Sequence, residues 1–434
     1  MLKNASGKGC MQQAKLKILF FSPNAYIWQH AFPEALVVKS LQDAGHEVIY
    51  IGCDGVLSDG VCISMRVAAA DSDSDLERKK HICDNCIKNR DKIIEHMAPS
   101  YASLGDFLAK SDMEKIDWEL STINKNNFLS YLFDGLPLGR MAVYETMMQF
   151  KKNSFDFSDE EFGKYKAWLR NSILIAMASK KILLEYSPDR LLMYNSLYSA
   201  NNAFNSVAKN LSIPSYGVHA WDNFGEFYQG LTITIGHNMN YLYGSVGLWN
   251  DYKHIPVSKK TMGRVKAHWD SLIGSKTVFT YSSPITKKRV DIREFFGIPK
   301  NSKVALALMS SYDEVYAAYA VGAYSTHEAK LYKNQVLWLK DLIDFFSKRE
   351  DLFLIIRVHP REFPNRREGR KSENATVYEE LLSDLPNNIK VNMPSDNLSI
   401  YDLALYSDVV LNGFSSAGLE MALYPMYLSH IAGR

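Results

Sequence analysis

The chain has 434 residues, 47% of them hydrophobic, so it can bury more apolar surface than one core usually holds and two domains are expected. Its 50 Lys and Arg residues nearly balance 48 Asp and Glu residues. The overall electrostatic field of the protein is therefore weak. The composition does not indicate the excess of basic residues with which proteins wrap DNA or RNA, so we expect no nucleic-acid partner.

The beginning of the chain predicts a cytoplasmic protein. Residues 1–17 are polar and basic, and the first apolar run, Ile18 to Phe21, is too short for a signal peptide or a membrane span. Five cysteines are an odd number, which favours reduced thiols over a disulfide framework. Cys83 and Cys86 have ligand-like spacing, but no second pair completes a zinc site, so a solvated pair at a helix start is the preferred interpretation.

The first part of the chain predicts a parallel α/β domain over residues 15–285. An apolar run at 17–22, a helical pattern at 34–44 and a second apolar run at 46–52 form a βαβ unit. Charged residues from 71 onwards indicate a helical insertion, about 71–170, rather than more sheet. The alternation then resumes with a helix at 172–186, a strand at 190–195, a helix at 200–210 and a strand at 214–219.

A second alternation predicts another α/β domain over residues 286–434, after a connector at 281–289. Its expected strands are 304–309, 352–358, 388–391 and 407–411, with a helix at 335–349 and another from Ser416. The predicted fold class is thus α/β, with two facing Rossmann-like domains. Because ligands of open parallel sheets bind beyond the carboxyl ends of the strands, the loops at those ends are the expected sites.

The strand at 352–358 leads into the most informative motif, Arg357-Val-His-Pro-Arg361. Arg357 and Arg361 can present planar forks of donors to a phosphate, and His359, followed by Pro360, can donate to a leaving phosphate. The alternative is a histidine that caps the strand end beside surface arginines.

A second motif runs from Ser407 through Asn412 and Gly413 to Glu420. Ser415 and Ser416 would open a helix whose free N–H groups bind anions without a metal, and Glu420 could hold the hydroxyls of a ribose. In the alternative, these serines only cap the helix. Ser310 and Ser311 follow another strand of the same sheet and complete the predicted donor-binding set.

These motifs resemble the GT-B glycosyltransferases, and more narrowly the capsule and lipopolysaccharide transferases with His-Pro and Ser-Ser motifs. In the Kdo transferases and bacterial sialyltransferases of that set, the two motifs hold the cytidine monophosphate of the donor. Teichoic-acid polymerases that use CDP-glycerol carry a similar pair. The resemblance covers roughly residues 300–425. It implies a final strand and a crossing helix that do not follow before Arg434, so a truncated second domain is expected.

The carboxylate that acts at the sugar is expected after the strand at 214–219. Asp222 is the first candidate and Glu226 the second, because both follow that strand and would lie over the cleft between the domains. As an alternative, Asp222 and Asn223 only form a turn.

Side chains suited to sugar hydroxyls follow the other strands of the first domain. These predicted acceptor-binding residues are His30, Asn195, Tyr198, Asn201, His219 and Trp221. Asn195 could equally be a turn residue, and Tyr198 a core residue.

No metal and no cofactor are expected. Ser415, Ser416 and Arg357 already neutralise phosphate, and the one DxD pair, Asp71-Ser-Asp73, lies in a turn-rich polar stretch. The expected partners are a nucleotide-sugar, a glycan or glycolipid acceptor and other transferase modules. The basic run 365–371 is either a solvated loop or a flap over phosphate or anionic lipid at the inner membrane face.

The leading function is transfer of a sugar, Kdo-like or otherwise acidic, from a CMP donor to a surface polysaccharide or lipid-linked acceptor. The alternatives are transfer of a polyol phosphate from a CDP-polyol and a catalytically silent nucleotide-sugar-binding scaffold.

Overall fold

The computed structural model describes residues 14–57, 61–70, 75–97, 99–220, 231–236, 249–274, 290–323, 331–365, 369–413, 415, 417–418 and 420–422. The chain forms two compact units. The first comprises Met1–Ala142 and Lys164–Gly244, and the second comprises Val143–Gly163 and Ser245–Arg434.

The first unit contains a six-stranded sheet with the order β3-β2-β1-β4-β5-β6. Its strands are β1 (Lys17–Phe21), β2 (Glu47–Gly52), β3 (Ser100–Ser103), β4 (Arg190–Tyr194), β5 (Ser215–Ala220) and β6 (Leu231–Ile235). All pairs are parallel except the antiparallel pair of β5 and β6. This is the strand order of a Rossmann-like sheet.

Helices connect these strands. They are α1 (Trp28–Asp43), α2 (Ile63–Val67), α3 (Leu76–Met97), α4 (Lys110–Thr122), α5 (Leu138–Met141), α6 (Val143–Phe150), α7 (Asp159–Tyr186) and α8 (Ser199–Asn210). Apolar residues of α1 and Ile93 of α3 share a core with Ile18 and Phe20 of β1. Phe21, which points to the other face, packs on Phe204 of α8 with ring centroids 4.6 Å apart. Alternate residues of β1 are thus covered by helices on both faces.

The expected insertion at about 71–170 needs correction at its start. Strand β3 pairs in parallel with β2, and α3 makes the crossover between them, so this part belongs to the sheet layer. Strand β3 has the sequence Ser-Tyr-Ala-Ser, which lacks the apolar run that marks a buried strand. The remaining segment, from α4 to α7, consists of helices and the loops that join them.

The second unit contains a four-stranded parallel sheet with the order β10-β7-β8-β9. Its strands are β7 (Lys303–Leu308), β8 (Leu352–Arg357), β9 (Ile389–Asn392) and β10 (Val409–Asn412). Its helices are α6, α9 (Lys259–Ile273), α10 (Ile292–Phe296), α11 (Tyr312–Ala320), α12 (Gln335–Ser347), α13 (Ala375–Leu381) and α14 (Ile400–Leu405).

Helices cover both faces of this second sheet. Val304 and Leu306 share one core with residues of α9, α10 and α14, whereas Ala305 and Ala307 share another with residues of α12 and α13. This alternation is the doubly wound arrangement that the sequence predicted. Both units are therefore Rossmann-like α/β layers, as expected.

The expected boundary at 285/286 also shifts. Trp269 and Leu272 of α9 are buried in the same core as Ile292 and Tyr401, so α9 belongs to the second unit. Residues 143–163 belong to that unit as well. The predicted connector at 281–289 lies outside the described residues. Within the described part of the chain, no helix is long and apolar enough to cross a membrane.

Candidate functional site

Three predicted motifs lie together at the carboxyl edge of the second sheet. Strand β7 lies between β10 and β8, and Leu308 is the register partner of both Asn412 and Arg357. Ser310 and His359 each follow two residues beyond this row. In an open parallel sheet, ligands bind at this edge. The grouping of the three loops, which the sequence predicted, is thus present.

Arg357 lies beneath this edge rather than projecting from it. Its buried guanidinium donates to Oδ1 of Asn392, and Asn392 donates to Oδ2 of Asp396 at 2.8 Å. Burial lowers the pKa of Arg357 to about 10, against the opposing effect of Asp396. The side chain remains charged at neutral pH and supplies positive potential to the edge.

His359 caps the 3-10 turn Pro360–Glu362. The backbone N–H of Arg361 donates to its Nδ1 at 3.2 Å, and Pro360 occupies the first position of the turn, which its fixed φ favours. Burial, and then the neighbouring cationic side chains, lower the pKa of His359 to about 3. The imidazole is therefore neutral at pH 7, and with Nδ1 as acceptor its proton lies on Nε2. A neutral Nε2–H can donate to a phosphate oxygen.

Arg361 forms ion pairs within the protein. Its guanidinium lies 2.7 Å from Oδ2 of Asp313 and also donates to Glu314, and the Arg361 side chain is only 6% exposed. Two arms of the guanidinium are thus engaged with the beginning of α11, and the predicted phosphate contact of Arg361 stays a prediction. We assign this arginine to the support of the loop.

A buried lysine and a buried glutamate support the His-Pro turn, and the sequence predicted neither. Nζ of Lys151 donates to the carbonyl of Arg361 at 2.6 Å and to that of Arg370 at 2.9 Å. Glu362 accepts from the hydroxyl of Ser372, and burial raises its pKa to about 7. The segment at 143–163 therefore contributes a positive charge close to His359.

Ser310 presents a buried hydroxyl at the end of β7. Its backbone N–H donates to Oε1 of Gln335 at 2.7 Å, and Gln335 is held by the hydroxyl of Tyr378 at 3.0 Å. The Oγ atom itself is buried and has no hydrogen-bond partner among the described residues. Ser311 instead donates to Asp313. Ser310 is therefore the stronger candidate for a ligand contact.

The loop after β10 is organised by Asn412. Its Oδ1 accepts from the N–H of Ser415 at 3.1 Å, and its Nδ2 donates to the carbonyl of Ser415 at 3.0 Å. Oγ of Ser415 accepts from the N–H of Ala417 at 3.3 Å, which is the predicted capping contact. A Cβ at Gly418 would overlap the side chain of Asn412, so a larger residue here would displace the asparagine that organises the loop. Ser416 lies outside the described residues.

Glu420 contacts a tyrosine of the same unit. Its Oε2 accepts from the hydroxyl of Tyr401 at 2.8 Å, and burial raises the pKa of the carboxyl. The predicted contact of Glu420 with a ribose stays a prediction.

A narrow pocket lies at the carboxyl edge of the first sheet. It is much smaller than the sites that enclose a whole small ligand. Three predicted acceptor-binding residues, His30, Tyr198 and Asn201, line it together with Ser22 and Glu34. The pocket is suited to one hydroxyl-bearing part of a ligand.

Glu34 is the residue of this pocket that the sequence analysis missed. It lies on α1, is almost fully buried and accepts from the hydroxyl of Ser22. Burial raises its pKa to about 8. A carboxyl that keeps its proton at neutral pH can donate a hydrogen bond, and such perturbed groups are frequent in functional pockets.

Asn201 offers a buried acceptor in the same pocket. Its Nδ2 donates to the carbonyls of Tyr194 and Asn195, which fixes the orientation of the amide. Its Oδ1 is buried and has no partner within the described ranges. His30 stacks on Tyr194 with ring centroids 4.1 Å apart.

Asn195 has a turn role, the alternative that the sequence left open. Its φ is +43°, and its Oδ1 accepts from the N–H of Leu197 at 2.7 Å. His219 lies in β5 opposite Thr232 by its backbone. The predicted Trp221, Asp222 and Glu226 lie outside the described residues.

Four cysteines, rather than two, line a second pocket of the first unit. Cys83 and Cys86 lie inside α3, not at its start, and Cys53 and Cys62 line the same pocket. Burial raises the pKa of all four thiols. Among the residues that the structure describes, no cluster of His, Cys, Asp or Glu has the arrangement of a metal site.

No protein-family model matches the chain, and no curated protein matches it significantly. Among solved structures, it aligns with the glycosyltransferase of kitacinnamycin at 13% identity and a TM-score of 0.22, over 95% of this chain and 78% of that one. It aligns with the UDP-GlcNAc 2-epimerase of Neisseria meningitidis at 13% identity and a TM-score of 0.21, over 93% and 78% of the two chains. A CDPS from Fluoribacter dumoffii aligns at 12% identity and a TM-score of 0.31, over 51% of this chain and 90% of that one. At these TM-scores the similarities assign neither a family nor an activity.

Proposed function

We propose that the chain is a glycosyltransferase that uses a nucleotide-sugar donor. The observation that carries this proposal is the grouping of Ser310, His359 and the loop from Asn412 to Ser415 on three neighbouring strand ends of one sheet. Hydroxyl, imidazole and backbone donors in this arrangement are suited to the phosphate and sugar oxygens of a nucleotide.

Each of these groups has a proposed role toward the donor. The buried Oγ of Ser310 and Nε2–H of His359 donate to phosphate oxygens, and Ser415 contributes from the loop after β10. Arg357 and Lys151 provide positive charge from below the edge. Cytidine monophosphate is the proposed nucleotide, and a Kdo-like or other acidic sugar is the proposed transferred group. Both follow from the sequence resemblance.

The pocket with Glu34 is proposed to bind a hydroxyl of the acceptor, a surface polysaccharide or its lipid-linked primer. The neutral Glu34 carboxyl donates and Oδ1 of Asn201 accepts, so that a hydroxyl can satisfy both. Asp222, with Glu226 as the second candidate, remains the proposed carboxylate at the anomeric carbon.

Transfer is proposed to need no metal, because Arg357 and Lys151 supply cationic charge at the phosphate. Activity that is lost with EDTA and restored by manganese would contradict this part of the proposal.

Thermal-shift titrations with CMP, CDP, UDP and GDP test the donor site. At a hundredfold excess over Kd, the bound nucleotide should stabilise the protein by about 2.7 kcal/mol. Ser310→Ala should weaken binding, whereas Ser347→Ala, an exposed serine at the end of α12, serves as the matched control. Wild-type protein that binds none of the four nucleotides would overturn the proposal.

Product analysis then tests the reaction. Incubation with CMP-Kdo, CMP-sialic acid and CDP-glycerol in the presence of membrane extracts should yield a glycosylated product only from a CMP-sugar. A polyol-phosphate product would redirect the assignment to phosphotransfer, and nucleotide binding without any turnover would redirect it to a scaffold.

A further inference from the structure

Residues 249–266, here called the basic-aromatic surface, expose an unusual number of large apolar side chains. Trp249 is 65% exposed, Tyr252 61%, Ile255 58% and Val257 61%. Scattered exposed apolar residues are ordinary, but four within nine residues form a contiguous stretch, which commonly marks an interaction site.

The same residues carry a local excess of positive charge. Asp251 is the one acidic residue among them, against five basic residues, Lys253, Lys259, Lys260, Arg264 and Lys266. The whole chain has a net charge of only +2, so this concentration is not a property of the overall composition.

The protein holds this surface in place through α9. Trp269 and Leu272 are buried in the core of the second unit, and the Trp269 ring meets the Tyr401 ring edge-on at 5.3 Å. Ser258 caps the helix by accepting from the N–H of Thr261 at 3.1 Å. Lys259, Met262 and Lys266 lie at helical spacing on the exposed side. The exposed residues therefore extend from a packed helix.

Two basic residues elsewhere on this unit are paired with acids, and within the basic-aromatic surface Lys266 is paired with Asp270 at 2.8 Å. Arg370 lies 3.3 Å from Glu160 and stacks on Phe150, and Lys371 lies 2.7 Å from Glu379. These residues belong to the run 365–371, where the sequence suggested a lipid contact. The exposed apolar and basic side chains that a lipid contact requires are instead concentrated in residues 249–266.

We propose that the basic-aromatic surface binds an anionic phospholipid bilayer. Trp and Tyr side chains are favoured at the level of the lipid headgroups, Ile and Val can enter the acyl boundary, and Lys and Arg are attracted to anionic headgroups. An acidic protein partner would match the charge alone, whereas a bilayer matches the charge and the apolar side chains together. This proposal does not depend on the proposed transferase activity.

Vesicle co-sedimentation of the full chain tests the proposal. Vesicles of phosphatidylcholine alone are compared with vesicles containing phosphatidylglycerol, at low and at high salt. The wild-type chain should sediment with the anionic vesicles, and binding should fall at high salt because the charges are screened. Lys259→Gln/Lys260→Gln should lower partitioning about tenfold or more.

Matched variants distinguish binding through the basic-aromatic surface from nonspecific adsorption to vesicles. Trp249→Ser should lower binding, whereas Trp118→Ser, which removes an equally exposed tryptophan of α4 (64%), should not. Lys88→Gln/Lys92→Gln on α3 is the charge control. Thermal unfolding verifies that each variant is folded.

Three outcomes would overturn the proposal. They are equal binding to neutral and anionic vesicles, binding unchanged by Trp249→Ser and the lysine pair, and vesicle-independent self-association that Trp249→Ser abolishes. The last outcome would assign the surface to a second copy of the chain.

Discussion

Nη2 of Arg361 lies 2.7 Å from Oδ2 of Asp313, and both side chains are almost fully buried. The pair joins the turn after β8 to the beginning of α11 and thereby fixes two of the three loops at the candidate donor site. Removal of one partner would leave the other charge buried and uncompensated.

We therefore expect Arg361→Met to lower the free energy of unfolding by about 3–5 kcal/mol. Urea denaturation of the folded protein measures this difference. The double variant Arg361→Met/Asp313→Leu should recover part of the loss, because it removes the stranded carboxylate. If Arg361→Met unfolds like the wild type but loses nucleotide affinity, the arginine is the phosphate ligand that the sequence suggested.

The sequence predicted both sheets because most of their strands are apolar runs ended by a turn residue or a polar loop. It also predicted that the loops at Ser310, His359 and Asn412 meet, since neighbouring parallel strands end at one edge. Strand β3 was not predicted. It is an edge strand with the sequence Ser-Tyr-Ala-Ser, which has no hydrophobic periodicity.

The residues that were missed or reassigned depend on contacts distant in sequence. Lys151 donates to the carbonyl of Arg361, which is 210 positions away in the sequence, and Arg361 pairs with Asp313, which is 48 positions away. No local sequence pattern predicts contacts between residues that are so far apart in the chain. Glu34 lies in a helical pattern where an acidic residue is ordinary, and only its burial against Ser22 distinguishes it.

Glu34 should make the protein less stable as the pH rises. Its pKa is about 8 in the folded protein and has an ordinary value of 4.5, so between these pH values unfolding releases a proton. Stability from this group is complete below pH 4.5 and falls until about pH 8. Unfolding free energies measured from pH 5 to 8 should fall more steeply in the wild type than in Glu34→Gln. In the variant, Glu362, whose pKa is about 7, still lowers the stability as the pH rises, whereas His359, whose pKa is about 3, raises the stability up to its ordinary pKa of 6.5. Identical slopes would show that Glu34 ionises normally.

His359→Ala should weaken donor turnover, at a cost of roughly 1.5–3 kcal/mol, because it removes a hydrogen bond to a charged phosphate. The comparison of kcat/KM with the wild type measures this effect. His359→Asn is the informative second variant, since its amide keeps a donor at a similar distance and should retain part of the rate. Unchanged kcat/KM in His359→Ala would remove this residue from the donor site.

Asp222→Asn should abolish sugar transfer while CMP affinity stays nearly constant. The substitution preserves size and most hydrogen bonding but removes the carboxylate that would deprotonate the acceptor or attack the anomeric carbon, a contribution of about 10²- to 10⁴-fold. Initial rates with a CMP-sugar and CMP titrations measure the two quantities separately. Glu226→Gln is the matched control, because Glu226 follows the same strand four residues later. A near wild-type rate in Asp222→Asn together with an inactive Glu226→Gln would transfer the role to Glu226. If both variants keep the wild-type rate, the carboxylate lies elsewhere, and Asp222 is then a turn residue.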